Sequence, residues 1–393
     1  MRVLFDHQAF EYQPWGGVSR YHAELVRGLA GRVEVELALV RSHNVYVPDL
    51  ARRLGLEVSD RGFRDSFLSG RRFPGRKQLY SVAKRLFPSM HAQRANREHA
   101  LARLRAGGFD LFHPTYYDPY FLDALGDRPF VITVHDMAHD VFPDLFPGEP
   151  VAARRRLLVK RASRILAVSE STKRELVRIL RTDPSRIDVI AHGFAWAAEP
   201  APPPPLPERY LLYTGMRHGY KNWPRFVEAA APVLLAERGL HLVCTGPSFE
   251  EQERALLERL RLASRVVHVA ASEGTLRAIY AGAVAFCFPS RYEGFGIPVL
   301  EAFAEGCPAA LARTTSLPEV GGDAAIYFDP EDVASIRDAV ARLVADPALR
   351  AELAARGRER VKAFTWQAAC ARVVESYRRA LGERVDVASA GLD

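Results

Sequence analysis

One stretch in the second half of the chain, residues 289–301, has the residue types needed to hold a phosphorylated sugar. Gly294 and Gly296 flank Phe295, so the backbone can turn tightly and bring its N–H groups close to a ligand. The apolar run before this stretch is typical of a buried parallel strand. A helix is expected directly after Ile297, and the free N–H groups at a helix start attract anions. This order of elements predicts a diphosphate site.

Two carboxylates bracket this loop and indicate a second kind of contact. Glu293 precedes the glycines, and Glu301 is expected in the first turn of a helix that starts at Pro298. A carboxylate repels phosphate, so both are better suited to accept hydrogen bonds from sugar hydroxyls. A nucleotide-sugar needs this combination: amides for the diphosphate, one acid for the ribose and one for the transferred sugar. The alternative is a plain strand-to-helix turn with a carboxylate that favours the helix dipole.

A pair of cations follows another predicted strand at Gly215. Arg217 and Lys221 lie four residues apart in a glycine-containing loop. Arginine offers a planar fork for phosphate oxygens, and lysine offers a compact charge. Without the loop described above, two exposed surface cations would be the default interpretation.

The first half of the chain contributes a second set of candidates at predicted strand ends. Gly16 and Gly17 separate the first strand from a helix, and His135 and Asp136 directly follow a run of β-branched residues. Ligands of open α/β sheets bind outside the carboxyl ends of the strands. A lone histidine in such a place is more often a structural residue with satisfied hydrogen bonds. Position favours a role for His135 in the cleft.

The order of elements predicts two doubly wound α/β domains that face each other across a cleft. Strands alternate with helices on both sides of the proline-rich segment 199–207, which cannot form a regular element. We therefore expect domains at 1–200 and 208–365. Ser316 and Glu319 have capping-box spacing, which accounts for Glu319 without a catalytic role.

Length and composition exclude several classes of protein. The 393 residues are 48% hydrophobic and 26% charged, as in soluble globular proteins. No apolar run reaches the ~20 residues that span a bilayer, and no secretory signal is visible. The four cysteines lie far apart, which favours buried free thiols in a reducing cytoplasm over disulfides or zinc.

The net charge of +7 is unevenly distributed along the chain. Residues 51–105 hold 14 Lys or Arg against 4 Asp or Glu, interleaved with aromatic residues. This mixture suits peripheral contact with an anionic membrane surface. A solvated helical face is an equal alternative. No nucleic-acid recognition module accompanies the charge, so we expect no nucleic-acid partner.

The string Glu-Gly-Phe-Gly-Ile-Pro-x-Leu-Glu-Ala, residues 293–302, resembles the signature of the family 4 retaining glycosyltransferases, which have the GT-B fold. The resemblance covers both halves of the chain. It implies that Arg217 and Lys221 bind the donor diphosphate, that His135 faces the donor sugar, and that backbone near His268 and Val269 pairs with the nucleotide base. It also implies that Gly16 and Gly17 lie on the acceptor and phosphate side of the cleft, and that a final helix, 366–385, packs back on the first domain.

This resemblance implies a metal-independent, retaining transfer of a hexose from a nucleoside diphosphate sugar to a saccharide or lipid-linked saccharide hydroxyl. The sequence around residues 135–137 and 142–146 is most similar to that of bacterial surface-polysaccharide enzymes. This similarity favours GDP-mannose as donor. We expect a cytoplasmic protein, peripheral at the inner face of the plasma membrane. Two alternatives remain open: a nucleotide-sugar 2-epimerase of the same fold, and a non-catalytic partner subunit that binds nucleotide or membrane.

Overall fold

The computed structural model describes residues 1–59 and 90–383, with only the backbone for 90–93. Six strands of the first half are all parallel and form two three-stranded sheets in the described part, ordered β2-β1-β3 and β4-β5-β6. A single parallel bridge between Phe112 and Phe130 links the two sheets. The strands are β1 (Arg2–Phe5), β2 (Glu34–Leu37), β3 (Leu111–His113), β4 (Val131–Val134), β5 (Arg164–Ala167) and β6 (Ile187–Val189).

Helices cover the sheets of the first half. Tyr21, Leu25 and Leu29 of α2 are all buried, as their four-residue spacing predicts. The helices are α1 (Gln8–Tyr12), α2 (Gly17–Leu29), α3 (Val47–Leu54), α4 (Met90–Ala106), α5 (Leu122–Leu125), α6 (Ala138–Val141), α7 (Val151–Arg161) and α8 (Glu170–Leu180), with 3-10 turns at Pro143–Leu145 and Pro184–Arg186.

The second half contains one parallel sheet of six strands among the described residues, ordered β12-β11-β10-β7-β8-β9. The strand order reverses between β7 and β10, and an open α/β sheet binds ligands outside the strand ends at such a reversal. Gly215 follows β7 and the glycine loop follows β10, so both lie at this point. The strands are β7 (Arg209–Tyr213), β8 (Leu240–Thr245), β9 (Val266–Val269), β10 (Ala285–Phe288), β11 (Ala309–Ala312) and β12 (Ala325–Phe328).

The helices of the second half pack on both faces of this sheet, except for the last one. They are α9 (Trp223–Ala236), α10 (Glu251–Arg259), α11 (Glu273–Gly282), α12 (Ile297–Ala304), α13 (Leu317–Gly321), α14 (Val333–Ala345), α15 (Pro347–Val361) and α16 (Trp366–Ala380), with a 3-10 turn at Gly219–Lys221. Helix α16 instead buries Cys370, Val373 and Tyr377 in the core of the first half, where it contacts α2 and β5.

The chain thus folds as two Rossmann-like domains, as the alternating pattern predicts. Residues 199–207 contain neither helix nor strand, and we propose 1–200 and 208–365 as the domain limits. All four cysteines are buried free thiols, as predicted. Within residues 1–59 and 90–383, no helix has both the length and the apolar character needed to cross a bilayer.

Candidate active site

The two domains meet where the glycine loop of the second touches the end of β4 in the first. A Cβ built on Gly294 would lie 1.9 Å from the carbonyl oxygen of His135 and 2.9 Å from Cβ of Asp136. The side chain of Ser169 donates a 2.8 Å hydrogen bond across the cleft to the carbonyl oxygen of Gly294. Only a residue without a side chain permits this approach. The loop predicted to bind the donor therefore faces the histidine predicted to face its sugar.

The glycine loop ends in a helix start, as the sequence predicts, with two corrections. Gly296 has φ +111° and immediately precedes α12, a backbone conformation that favours glycine. The helix begins at Ile297, so Pro298 is its second residue and not its first. Glu301 is consequently the fifth helical residue and lies beyond the first turn. Its placement reflects the long reach of its side chain and not a dipole contact at the helix start.

Phe295, between the two glycines, is buried, with its ring stacked on His192 of the first domain at 4.6 Å between centroids. The loop is also anchored on its other side, because the hydroxyl of Ser316 donates to the carbonyl oxygens of Glu293 (2.9 Å) and Phe295 (2.7 Å). Fixed backbone groups can stabilise charge without a cost of reorganisation.

Lys221 and Glu293 form an ion pair at the mouth of this loop. The Lys221 Nζ to Glu293 Oε1 distance is 2.8 Å, and both side chains are largely buried. Burial lowers the pKa of Lys221, but the charge and hydrogen bond of Glu293 together with nearby Tyr220 and Asp136 outweigh burial, and the pKa of this lysine is raised. Lys221 thus stays cationic at neutral pH beside the predicted diphosphate site. The structure brings together these two predicted residues, which are 72 positions apart.

Glu301 lies in a buried pocket between the domains. Burial raises the pKa of its carboxyl group, against the opposing effects of Arg20 and of a hydrogen bond from Tyr280. The Tyr280 hydroxyl is 3.1 Å from Oε2, and Arg20 Nη1 of the first domain is 3.5 Å from Oε1. Arg20 also pairs with Glu273 at 2.9 Å. One oxygen of Glu301 therefore has a fixed neutral donor, and the other has only a distant cation.

Arg217 is placed differently from the expected free guanidinium. Its Nε and Nη2 donate to the carboxylate of Glu253 at 2.7 and 3.1 Å, and Nη2 also donates to the carbonyl oxygens of Pro247 and Ser248. Nη1 is buried and has no hydrogen-bond partner among the described residues. No local signal around Arg217 indicates that its guanidinium is held by Glu253. A phosphate contact by Arg217 stays a prediction, and only Nη1 is left for it.

The residues predicted near the nucleotide base lie at the same edge of the second sheet. Gly246, after β8, packs so closely on Gly215 that a Cβ on it would be 2.6 Å from the Gly215 carbonyl oxygen. The Nε2 atom of His268 is 2.8 Å from the carbonyl oxygen of Gly246, and Val269 ends β9. Their role in base pairing stays a prediction.

His135 belongs to a buried histidine cluster, formed by His22, His113, His135 and His192 around Tyr21. The ring of His135 lies 4.9 Å from that of Tyr21 and 5.6 Å from that of His22. Burial lowers the pKa of His135 to about 4, so its ring is neutral near pH 7. Its Nε2 is buried with no hydrogen-bond partner in the described part of the chain. A buried polar atom normally has a hydrogen-bond partner, so this nitrogen lacks one that a ligand could supply.

The other first-domain candidates lie beside this cluster. The Asp136 carboxylate is part-exposed, caps the N–H of Ala138 at 3.0 Å and lies 4.0 Å from Arg155 Nη1. Gly16 directly precedes α2, and Gly17 is the first residue of this helix. Arg20 extends from the first turn of α2 to Glu301, so this glycine pair borders the pocket of the second domain.

The two halves of the chain match two glycosyltransferase families. Residues 15–195 match the family described as Glycosyltransferase Family 4, and residues 196–360 match Glycosyl transferases group 1. The chain is a glycosyltransferase whose first half matches the family 4 model. The predicted family and the GT-B fold are confirmed, and the enzyme is a hexosyltransferase.

Relatives of this glycosyltransferase include two named mannosyltransferases. O-antigen chain mannosyltransferase B of Escherichia coli is 28% identical over 96% of this chain and 100% of that protein. MMP alpha-(1->4)-mannosyltransferase of Mycolicibacterium hassiacum is 29% identical over 70% of this chain and 72% of that protein. Among solved structures, sucrose-phosphate synthase from Thermosynechococcus elongatus has a TM-score of 0.68 at 20% identity, covering 97% of this chain and 99% of that one. That likeness shows the fold.

The prediction that Glu319 forms a capping box with Ser316 on its own helix is wrong. Ser316 makes no side-chain cap on α13. The Glu319 carboxylate instead accepts hydrogen bonds from the N–H groups of Glu170 (2.8 Å) and Ser171 (2.7 Å), at the start of α8 in the other domain. Arg174 adds a contact at 3.1 Å. Glu319 thus caps a helix across the domain interface, and no local sequence signal distinguishes the two caps.

Other residues of the interface were missed by the sequence analysis. The hydroxyl of Tyr292, inside the glycine motif, donates to Glu175 of α8 at 2.5 Å and accepts from the N–H of Met137 at 2.7 Å. The position of Tyr292 between predicted site residues was an available signal. The sequence signal for Arg20 was weaker: it lies in the first turn of a helix that begins at a predicted ligand loop.

Replacing Glu319 by alanine is expected to loosen the two domains. The variant leaves two helix-start N–H groups and Arg174 without their acceptor, which should lower the free energy of unfolding by about 1–2 kcal/mol. We also expect a larger radius of gyration in small-angle scattering. The matched control is Glu359→Ala, which removes an exposed ion pair to Lys362 within one helix and should cost at most about 0.5 kcal/mol. Equal unfolding free energies for the two variants would contradict an interdomain role.

Proposed function

We propose that this enzyme transfers mannose from GDP-mannose to a hydroxyl of a saccharide or lipid-linked saccharide, with retention, in the synthesis of a surface polysaccharide. The observation that carries the proposal is the convergence of Lys221, Glu293 and the glycine loop on His135 at the strand-order reversal. The choice of mannose as the transferred sugar is supported by relatives that are named as mannosyltransferases, one of them an O-antigen chain mannosyltransferase.

Donor binding divides between charge and hydroxyl contacts. Lys221 and the amides of Phe295 and Gly296 stabilise the leaving diphosphate as its charge develops. Glu301 accepts from the ribose hydroxyls through the oxygen that Tyr280 leaves free. Glu293, held by Lys221, accepts from hydroxyls of the transferred sugar, and the neutral ring of His135 orients that sugar through Nε2.

The step itself is proposed to be a front-face substitution. The bond from the anomeric carbon to the diphosphate oxygen breaks, a bond to the acceptor oxygen forms on the same face, and the acceptor proton passes to the leaving phosphate. The carboxylates near the sugar are engaged elsewhere, since Glu293 pairs with Lys221 and Asp136 caps Ala138. Detection by intact mass of a glycosyl-enzyme adduct during turnover would contradict this route.

A thermal-shift panel of GDP, UDP, ADP, TDP and their sugars tests the donor. A ligand at 100 times its Kd adds about 2.7 kcal/mol to the native state. We expect the largest shift with GDP-mannose and loss of most of that shift in Lys221→Ala, because the diphosphate loses its cation. A shift with UDP alone would overturn the donor, and no shift with any nucleotide would overturn the proposed function. Release of a free epimerised sugar nucleotide would identify an epimerase instead.

Cytoplasmic location and peripheral membrane contact through residues 51–105 remain part of the proposal. Residues 60–89 of this region lie outside the described residues. In the described flanks, several cations already have partners: Arg53 pairs with Asp49 at 2.9 Å, and Arg94 pairs with Glu98 at 2.7 Å. The membrane contact therefore depends on the charges of 60–89.

A further inference from the structure

The first domain presents exposed aromatic side chains beside its glycine pair. Trp15, directly before Gly16, is 74% exposed, and Tyr12 is 47% exposed. The ring of Tyr116, after β3, lies 6.0 Å from that of Tyr12. We call Tyr12, Trp15 and Tyr116 the aromatic platform. An indole this exposed buries almost none of its apolar surface on folding, so folding does not account for its presence.

The loop that carries Trp15 is anchored on several sides. Asn44 donates a 2.6 Å hydrogen bond to the carbonyl oxygen of Gln13, and the N–H of Val45 donates to that of Pro14 at 3.0 Å. The side chain of Gln13 accepts from the N–H of Ser19 at the start of α2. The exposed ring is therefore held out on a fixed backbone, and an aromatic ring on a fixed support binds at little cost in conformational entropy.

The platform borders the donor pocket. Tyr12, Trp15 and Tyr116 follow β1 and β3, whose carboxyl ends form one edge of the sheet with that of β4. The first turn of α2 begins two residues after Trp15 and carries Arg20, whose Nη1 lies 3.5 Å from Glu301. Asp136, directly after His135, acts on the hydroxyl of Tyr116. A molecule seated on the platform is thus near the residue proposed to orient the transferred sugar, where an acceptor must be.

The charges around the platform favour a neutral occupant. Asp118, Glu11 and Asp6 act on the hydroxyl of Tyr12, opposed by Arg154 alone. Asp136 and Glu149 act on that of Tyr116, opposed by Arg155. Arg154 is itself paired with Asp118 at 3.2 Å. This excess of carboxylates repels phosphate and accepts hydrogen bonds from hydroxyls.

We propose that the aromatic platform binds the neutral, unphosphorylated end of the saccharide acceptor, with the apolar face of a pyranose ring stacked on Trp15. A pyranose has one C–H face that suits an aromatic ring and a rim of hydroxyls that suits carboxylates. The inference rests on the proposed function and names the class of its acceptor: a hydroxyl-rich sugar end, with any lipid or phosphate portion bound away from this surface.

Quenching of tryptophan fluorescence by acrylamide tests the platform without any donor. The other tryptophans are less exposed than Trp15; Trp223, for example, is fully buried. Quenching therefore reports mainly on Trp15, and the Trp15→Phe variant shows how much of the quenched fluorescence comes from this residue. We expect mannobiose, lactose or cellobiose to protect Trp15, and mannose phosphate or dodecyl maltoside micelles to protect it less. Stronger protection by the phosphate or by the micelles than by every neutral disaccharide would overturn the proposal.

Steady-state kinetics with mannobiose as acceptor and GDP-mannose as donor give the second readout. Trp15→Ala should raise the KM for mannobiose about tenfold, and Trp15→Phe about two- to threefold, because stacking is lost or reduced. Hydrolysis of GDP-mannose without acceptor should not change in either variant. Leu235→Ala, which removes a 47% exposed apolar side chain from α9, is the control and should change neither. An unchanged KM in Trp15→Ala overturns the platform, whereas absent hydrolysis and transfer in the wild type overturn the proposed donor.

Discussion

Replacement of Gly294 by alanine is expected to lower kcat/KM by at least about 100-fold, since a misplacement of about 1 Å at a reacting centre costs that much. The added Cβ would lie 1.9 Å from the carbonyl oxygen of His135, which belongs to the other domain and is backbone. Backbone cannot rotate away as a side chain can. The two domains must separate by more than 1 Å, and His135 then no longer meets the donor sugar.

The measurement pairs turnover with nucleotide binding. Glycosyl transfer should fall steeply in Gly294→Ala, while the Kd for GDP, measured by calorimetry, should change by less than about tenfold, because the cations of the second domain are left in place. The radius of gyration should rise. A variant with wild-type turnover would show that the observed contact between the domains is not needed for catalysis.

Gly296→Ala is the matched comparison. Its Cβ would be tight against the flexible end of Leu317, at 3.0 Å, and in ordinary contact with Val299 and Phe288, but its φ of +111° is unfavourable for alanine. This variant should therefore lose stability by about 1–2 kcal/mol and weaken GDP binding, without a rise in the radius of gyration. The two glycine positions of the loop thus separate a steric effect between domains from backbone strain within one domain.

Acidification is expected to destabilise the enzyme strongly through its buried histidine cluster. Burial lowers the pKa of His113 to about 3 and that of His135 to about 4, and it holds the pKa values of His22 and His192 well below the ordinary value. The native state therefore keeps these rings neutral at a pH where the unfolded chain, with a pKa near 6.5, binds protons. Stability is present above about pH 6.5 and is lost as the pH falls below it.

The size of this loss follows from the number of rings. Each histidine that stays neutral in the native state contributes up to about 1.4 kcal/mol per pH unit, so the four together should cost on the order of 4 kcal/mol between about pH 6.5 and pH 5.5. Urea unfolding at the two pH values measures it. The free energy of unfolding of a protein is typically roughly 5–15 kcal/mol, so the loss of stability on acidification is a large fraction of it.

His22→Phe is the variant that tests the source of the effect. His22 packs edge-on against His113 and His135, and its Nδ1 is buried without a partner among the described residues, so an apolar ring of similar shape fits. The His22→Phe substitution should reduce the loss of unfolding free energy between the two pH values by about a quarter, or about 1 kcal/mol. Tyr21→Phe, in the same cluster, removes a group that does not titrate there and should leave the pH dependence unchanged. Equal slopes in all three proteins would place the acid sensitivity elsewhere.

Much of the scaffold could be predicted from the sequence, because its signals are local. The short runs Val266–Val269, Ala309–Ala312 and Ala325–Phe328 form β9, β11 and β12. The glycine loop and Glu293 were found because they follow the strand that ends at Phe288. Lys221 lies in the connection after β7, and Glu301 lies in the helix that follows the glycine loop. The edge of a parallel sheet collects such positions whatever the details of packing. The chain therefore determined by itself its fold, its enzyme class and most of its candidate site residues.

Only the tertiary structure decided the contacts between groups that are far apart in the chain. Arg217 is held by Glu253, Glu319 caps a helix of the opposite domain, and Gly294 is needed because His135 approaches it. Each contact depends on the register of two sheets and on how closely the domains pack, which no spacing within a segment encodes. Composition likewise counts histidines and says nothing of their clustering. Local physics set the elements, and packing between them set which of their side chains are free to act.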